Sequence, residues 1–486
     1  MEKFAGLAGA LAFVLPGLGL LALAPRLSPG HWVRRLPVAY LLGVAWTAEI
    51  LYAASHVFGA PLRLPAVLAV MIAPAVAGGV LRARRRLREG GQTVAAGSPR
   101  RWRPLEWGVF AVAVLVFLGV LAEAVTNPLR DWDGRMTWVT QARYVRAAGT
   151  VDAPALRQPQ WFVSHPRYPL LLPLVQTAAL ELVRGDDAAN AYRPLYAAFF
   201  AVLLALVYGF PHRRVRRSAA ALAVLAAAVL PFVAFDRAGG AISAYSDLPL
   251  ACFYGGGLLL LLRVRCGVGE GLVAGLLLAA AVLSKNEGTP LALAALVLGL
   301  ALRWPFRRPR AAGRRLAPIG AAAAVVALAI ALLASWRTGI PNRNDEGYEA
   351  LISLGALWPA VVTRLPLLLP EARRRMVDFS AWRLFWPAAL LAVLAGHRGL
   401  RRRRAACLAL GALAPLSVVW LAYVVNDRPA LLVEATWNRF LLQGLVPWLA
   451  LLSLALDDLL RRTPWLSRWR FPRSPQGEER TRQIST

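Results

Sequence analysis

The chain has 486 residues, a length that two or three soluble domains would fill. However, 58% of it is Ala, Val, Ile, Leu, Met, Phe, Trp, Tyr or Cys and only 17% is charged, whereas soluble domains carry roughly 45–50% apolar residues with glycine included and about 25% charged. The net charge of +30 and pI of 11.5 accompany a mean hydropathy of +0.51, which excludes a soluble basic nucleic-acid binder and a disordered basic chain.

A membrane-spanning helix needs roughly 20 mostly apolar residues, and runs of this kind recur along the whole chain. Residues 1–104 hold three, near 5–24, 37–57 and 64–81, followed by a basic connection. Ala22-Leu23-Ala24 resembles a signal-peptide cleavage site. Cleavage there would invert the parity of every later loop, so the first run is kept as a helix. Residues 105–302 form a membrane core with runs near 105–126, 192–210, 219–235, 246–262, 271–284 and 289–302, and a large loop over 127–191. Residues 303–458 add runs near 317–334, 384–396, 406–424 and 440–458, with a second large loop over 335–383. The tail 459–486, rich in Arg, Ser, Pro, Gln and Glu, is expected to be disordered. The fold class expected is an all-α polytopic membrane protein of about 13 transmembrane helices.

Charge placement orients these helices. Residues 82–103, 211–218, 303–315, 397–404 and the tail after Leu460 hold thirty arginines and three acids, as cytoplasmic loops do under the positive-inside rule. They alternate with acid-bearing loops through all the expected spans, which places the N-terminus outside and the C-terminus in the cytoplasm. The same parity bars 169–184 and 350–370 from spanning; both read as amphipathic helices lying on, or re-entering, the outer surface. It also splits the stretch between Arg265 and Arg303 into two passes joined at Ser284-Lys285-Asn286-Glu287-Gly288. The three cysteines are scattered without metal or disulfide spacing and read as apolar fillers. No internal repeat is visible.

Five clusters on the outer side carry groups capable of chemistry. Asp131-Trp132-Asp133 follows the fourth span, with Trp138 beyond it; Asp133 reads either as a helix N-cap or as a general base whose pKa burial would raise. In Trp161-Phe162-Val163-Ser164-His165-Pro166-Arg167-Tyr168-Pro169, His165 and Arg167 suit a phosphate and Trp161 and Tyr168 a sugar face, or the aromatics form an interfacial belt. Asp247, in Tyr245-Ser246-Asp247-Leu248-Pro249, reads as an ordinary helix-start acid. Lys285 and Glu287 form an ionisable pair between two short apolar helices, a functional hypothesis by default; apart from Lys3, Lys285 is the chain's one lysine. Arg439, beyond Asn426-Asp427-Arg428 and Glu434, heads the last run and suits phosphate or interfacial anchoring.

The segments Asp131-Trp132-Asp133…Trp138, His165-Pro166-Arg167-Tyr168-Pro169-Leu170-Leu171-Leu172-Pro173, Tyr245-Ser246-Asp247-Leu248-Pro249-Leu250 and Lys285-Asn286-Glu287-Gly288, in this order, resemble GT-C-fold glycosyltransferases, including the bacterial protein O-mannosyltransferase and aminoarabinose transferase families. The likeness covers about residues 105–300, and more loosely the rest to 458. It implies an enzyme of the cytoplasmic (inner) membrane that moves a sugar from a polyprenyl-phosphate donor to a glycan, lipid or protein acceptor at the outer face, with inversion. By that resemblance Asp133, with Asp131 beside it, takes the acceptor's proton. Lys285, Arg439, His165 and Arg167 meet the donor phosphate, and Trp138, Tyr168, Tyr245, Asp247 and Glu287 line the substrate. No cofactor is firmly implied, and a divalent metal is compatible with the class. The chain departs from the pattern in having three helices before the catalytic loop and Asp-Trp-Asp in place of two adjacent acids. A flippase or transporter of lipid-linked glycans, and an O-antigen ligase or polymerase, are the competing expectations; nucleic acid is not an expected partner.

Overall fold

The computed structural model describes residues 2–22, 32–88, 104–158, 165–184, 191–209, 215–263, 266–304, 312–341, 354–396, 403–426 and 429–462. Trp161, Asp427, Arg428, the tail beyond Arg462 and parts of the arginine clusters lie outside the described residues, whereas residues 459–462, expected to be disordered, are helical. Among the described residues there is no strand, and helices follow one another almost without interruption. This is the architecture of a polytopic membrane protein.

The helices are α1 (Glu2–Ala12), α2 (Val14–Leu20), α3 (Trp32–Phe58), α4 (Leu64–Arg88), α5 (Pro104–Thr126), α6 (Thr140–Ala148), α7 (Pro154–Arg157), α8 (Leu171–Val183), α9 (Pro194–Gly209), α10 (Arg217–Ala228), α11 (Pro231–Ala234), α12 (Asp247–Leu261), α13 (Val268–Ser284), α14 (Gly288–Arg303), α15 (Ala312–Arg337), α16 (Leu354–Met376), α17 (Phe379–Trp382), α18 (Phe385–Ala395), α19 (Arg403–Val425), α20 (Pro429–Gln443) and α21 (Leu445–Arg462). A π-helical turn, Gly134–Val139, leads into α6. Among the described residues five helical stretches are long and apolar enough to cross a bilayer: Arg35–Phe58, Leu64–Arg85, Pro104–Thr126, Arg315–Arg337 and Arg403–Val424. The bent pair α20–α21 makes a sixth if it is counted as one span, and the remaining apolar helices are 10–17 residues long.

The structure revises the expected elements in several places. The first run is two helices, α1 and α2, broken at Phe13. The run at 219–235 ends early because Pro231 cannot continue α10 and starts the short α11 instead. The last run, expected over 440–458, is interrupted at Gly444: α20 already begins at Pro429, and the chain bends by 55° into α21. Arg439 therefore lies inside α20, not at the head of the last helix. The stretch 169–184 becomes α8, but it is not a surface helix. Every residue from Leu171 to Leu180 is buried, and the helix packs against α1, α3 and α6.

α12 is buried along its whole length and forms the centre of the bundle, with α9, α13, α14, α20 and α21 around it. The N-terminal helices are packed into this core, since α3 contacts α8, α9 and α13. α2 approaches α3 at backbone distance. A Cβ on Gly17 would stand 1.6 Å from the Ala39 carbonyl oxygen, and one on Gly43 would stand 1.6 Å from that of Phe13. Small residues at a crossing allow such contact between helices in lipid. Replacing Gly43 with Val is therefore expected to push α2 off α3 at a cost of about 1–3 kcal/mol or more. This would be read as a lower melting temperature of the detergent-solubilised protein.

Candidate functional site

Five chain segments meet at one end of the bundle. α13 stops at Ser284, Lys285 is extended (φ −161°, ψ 158°), and α14 begins at Gly288. So tight a reversal needs glycine: a Cβ at 288 would lie 1.8 Å from the carbonyl oxygen of Ala281. The turn delivers the Lys285 ammonium to α12, where Nζ donates to Asp247 Oδ1 at 2.9 Å and also reaches Glu287 Oε1 at 3.2 Å. The π-turn brings Asp133, the buried C-terminal turn of α20 brings Arg439, and the loop 165–170 brings His165 and Tyr168.

Asp247 is the hub. It is fully buried, and besides Lys285 it accepts from Arg439 Nε (2.9 Å) and Gln443 Nε2 (2.8 Å). Gln443 follows Arg439 by one helical turn, so both project from the same face of α20. Arg439 uses its remaining edge to bind Asp133 Oδ2 at 2.8 Å. Its guanidinium lies 4.8 Å over the Tyr245 ring, and the Lys285 ammonium 5.2 Å over that of Phe440, contacts that aromatic faces make favourable. The Tyr245 hydroxyl accepts the Asp133 backbone N–H at 3.3 Å, which ties the acid's turn to the start of α12. Ala244 carries this tyrosine with φ +56°, a left-handed conformation unusual for alanine.

Around this core, His165 stacks on Tyr168 with ring centroids 4.3 Å apart, and Tyr168 lies against Trp138 at 5.5 Å. Gln141 holds the His165 carbonyl at 2.8 Å. Arg337, at the end of α15, donates to the Arg167 carbonyl at 3.0 Å and to Asn286 Oδ1, clamping the loop to the Lys285 turn. Burial lowers the pKa of His165; Asp133 opposes this, and Lys285 and Arg439 reinforce it. The imidazole is thus neutral at pH 7 and offers a hydrogen bond rather than the charge expected for phosphate binding.

The residues singled out in the sequence therefore converge, but several occupy places other than expected. Asp133 does not cap the following turn with its side chain; its carboxylate is on Arg439. Asp247 is neither an ordinary helix-start acid nor an accessible substrate contact, because both its oxygens are occupied by the cations and Gln443. Trp138 is buried behind Tyr168 rather than lining an open site. Arg167 contributes its backbone carbonyl to the Arg337 clamp. Gln443, Phe440, Asn286 and Arg337 were not anticipated. A glutamine in the apolar run Phe440-Leu441-Leu442-Gln443 was the one available signal.

Asp131 stands apart from this network. Burial lifts its pKa from 3.8 to about 6, with Arg237 and Arg193 opposing and Asp236 adding to the rise. The folded protein binds this proton more tightly than the unfolded chain. The associated stability is therefore complete below pH 3.8 and is lost as pH rises towards about 6. Asp131→Asn is expected to remove that decline, so that its melting temperature gains on the wild type across this window and runs parallel to it above.

Charge balance limits what the site can do. Asp133, Asp247 and Glu287 face Lys285 and Arg439, so the paired cluster has one more carboxylate than cations. The side-chain exposures are 28% for Asp133, 18% for Glu287 and 0% for Asp247, which makes Asp133 the partner a ligand can most easily displace. Glu287 Oε2 is buried and has no hydrogen-bond partner among the described residues, a costly state that a ligand hydroxyl would relieve. Among the described residues, no three His, Cys, Asp or Glu side chains form a metal-binding group. α12 leaves Asp247 and ends beside Arg263, whose carbonyl accepts from Arg303 at the end of α14 (2.9 Å), so these two arginines lie at the end of α12 remote from Asp247.

Comparison of the chain with protein-family models, curated proteins and solved structures finds no match.

Proposed function

We propose that the chain is a membrane glycosyltransferase that takes a sugar from a polyprenyl-phosphate donor, with its N-terminus and active site on the outer side of the cytoplasmic membrane and thirteen passes through the bilayer. The observation that carries this reading is the chain of contacts Asp133–Arg439–Asp247–Lys285. It joins a partly exposed carboxylate to two nearly buried cations held rigidly from below. The resemblance in the four short segments supplies the reaction class.

In this reading the donor phosphate replaces Asp133 on Arg439 and approaches Lys285. A bidentate guanidinium–phosphate contact is strong enough for such an exchange. The displacement frees the Asp133 carboxylate beside the reacting centre. An acceptor hydroxyl attacks the anomeric carbon, its proton passes to Asp133, and the bond from the anomeric carbon to the phosphate oxygen breaks with inversion. The leaving polyprenyl phosphate carries away the bonding pair as negative charge, which Arg439 and Lys285 stabilise. Glu287 Oε2 accepts a sugar hydroxyl, and the stacked His165–Tyr168 pair offers an apolar wall to the ring.

The test is to reconstitute the purified protein with a polyprenyl-phosphate hexose labelled in the sugar and a membrane extract as acceptor source. Label moving to a new acceptor with release of polyprenyl phosphate supports the proposal. Label crossing the bilayer on an intact donor would show a flippase instead, and use of a diphosphate-linked oligosaccharide in preference to the monophosphate sugar would show a ligase or polymerase.

A further inference from the structure

A second group of side chains, at the same end of the bundle, takes no part in the site above. His56, in the last turn of α3, places Nε2 2.9 Å from Ser335 Oγ near the end of α15. Its Nδ1 lies 3.0 Å from Asp152 Oδ2 and 3.3 Å from Oδ1, in the turn after α6. The hydroxyl, both imidazole nitrogens and the carboxylate thus stand in series. This is the arrangement in which a base held in one tautomer by a carboxylate activates a serine, and such sets are recognised by geometry rather than by chain order.

The surroundings hold the series in place. Asp152 also accepts from Arg157 Nη2 at 2.7 Å, while Arg157 Nη1 donates to the Thr338 carbonyl, three residues beyond the serine, at 3.0 Å. The Asp152 turn is fixed by Val151 N–H donating to Ser55 Oγ (3.1 Å), by Asp152 N–H donating to Thr150 Oγ1 (3.2 Å), and by Trp336 Nε1 donating to the Val151 carbonyl (3.0 Å). Ser335 is exposed, and His56 and Asp152 are partly exposed. His56 and Ser335 stand near the ends of two of the membrane-length apolar helices, and Val57 and Phe58, next to the histidine, are exposed. Water and an acyl chain can both reach such a position.

We propose that Ser335, His56 and Asp152 form a hydrolytic centre for carboxylic esters of amphiphiles presented at the membrane surface. Ser335 Oγ attacks the ester carbonyl carbon while its proton passes to His56 Nε2. The carbonyl–alkoxy bond breaks, the leaving oxygen takes the proton from His56, and the acyl group remains on Ser335. Water then attacks the acyl carbon, giving its proton to His56, and the Ser335–acyl bond breaks, releasing the carboxylic acid and restoring the serine hydroxyl. Asp152 acts by positioning the imidazole, and Arg157 supplies positive charge across the centre. This proposal does not depend on the glycosyltransferase reading.

The full-length protein in detergent micelles is treated with a fluorophosphonate probe, which reacts with activated serines, and is assayed with a short-chain nitrophenyl ester. The expected result is covalent label on Ser335, located by mass spectrometry, together with ester turnover. Ser335→Ala should abolish both while leaving the melting temperature unchanged, since the side chain is exposed. His56→Gln should slow labelling by at least about 100-fold. Asp152→Asn should slow it by up to about 10⁴-fold, and Asp152→Glu should restore part of the rate. If the wild type takes no label at Ser335, or if labelling survives intact in His56→Gln, the proposal is overturned and the three residues are a clasp between α3 and α15.

Discussion

Asp133→Asn is expected to lower sugar transfer by about 10²–10⁴-fold, the usual contribution of a general base, while the protein keeps its fold and its elution profile. The variant is informative because its two consequences separate. Its carboxylate is 28% exposed, whereas that of Asp247 has no exposure, so water can solvate what the substitution leaves behind. Arg439 keeps Asp247, so no buried charge is left alone. Melting temperature should therefore move little as turnover collapses. Donor affinity should rise or hold, because the phosphate no longer competes with Asp133 for Arg439. Full transfer activity in this variant would remove Asp133 from the role of base.

Asp247→Asn is expected to have the opposite signature: loss of the folded protein rather than loss of chemistry alone. The carboxylate has no exposure and neutralises two cations that are themselves nearly buried. Removing one partner of a buried ion pair costs about 3–5 kcal/mol, because the remaining charge is left in a medium that cannot solvate it. A thermal shift measured by size-exclusion chromatography should show it. The same argument predicts rescue. Asp247→Asn combined with Lys285→Met removes the cation left with the part-exposed Glu287 as its one carboxylate and leaves Asp133 for Arg439, so the double variant should melt above the single one. A wild-type melting temperature in Asp247→Asn would mean that the hub does not hold the bundle end together.

The helical, membrane-type character of the chain is legible in its sequence. Apolar runs are local in sequence, and a helix in lipid must satisfy its own backbone. The helices accordingly appear where the runs are. What misled were positions where local pattern and packing disagree. Loop parity gives 169–184 as a helix lying on, or re-entering, the outer surface, and the bundle encloses Leu171–Leu180 of it. The apolar run after Phe440 suggested a span starting there, yet helix begins at Pro429 and bends at Gly444. The candidate residues were found because charge is scarce in such a chain, so each charged residue outside the arginine clusters stood out.

The sequence by itself determined that this is a helical, membrane-type chain, which of its few charges lie outside the basic connections, and that the exceptional lysine sits in a turn between two helices. Only the tertiary structure decided what those charges do to one another. Asp247 and Arg439 are 192 residues apart, Asp133 and Arg439 306 apart, and His56 and Ser335 279 apart. No local periodicity encodes such pairings. They arise because helices packed side by side bring their ends to a common level, where a buried carboxylate must find cations and a cation must find carboxylates. That requirement turns Asp247 from an ordinary helix-start residue into the support of the whole site.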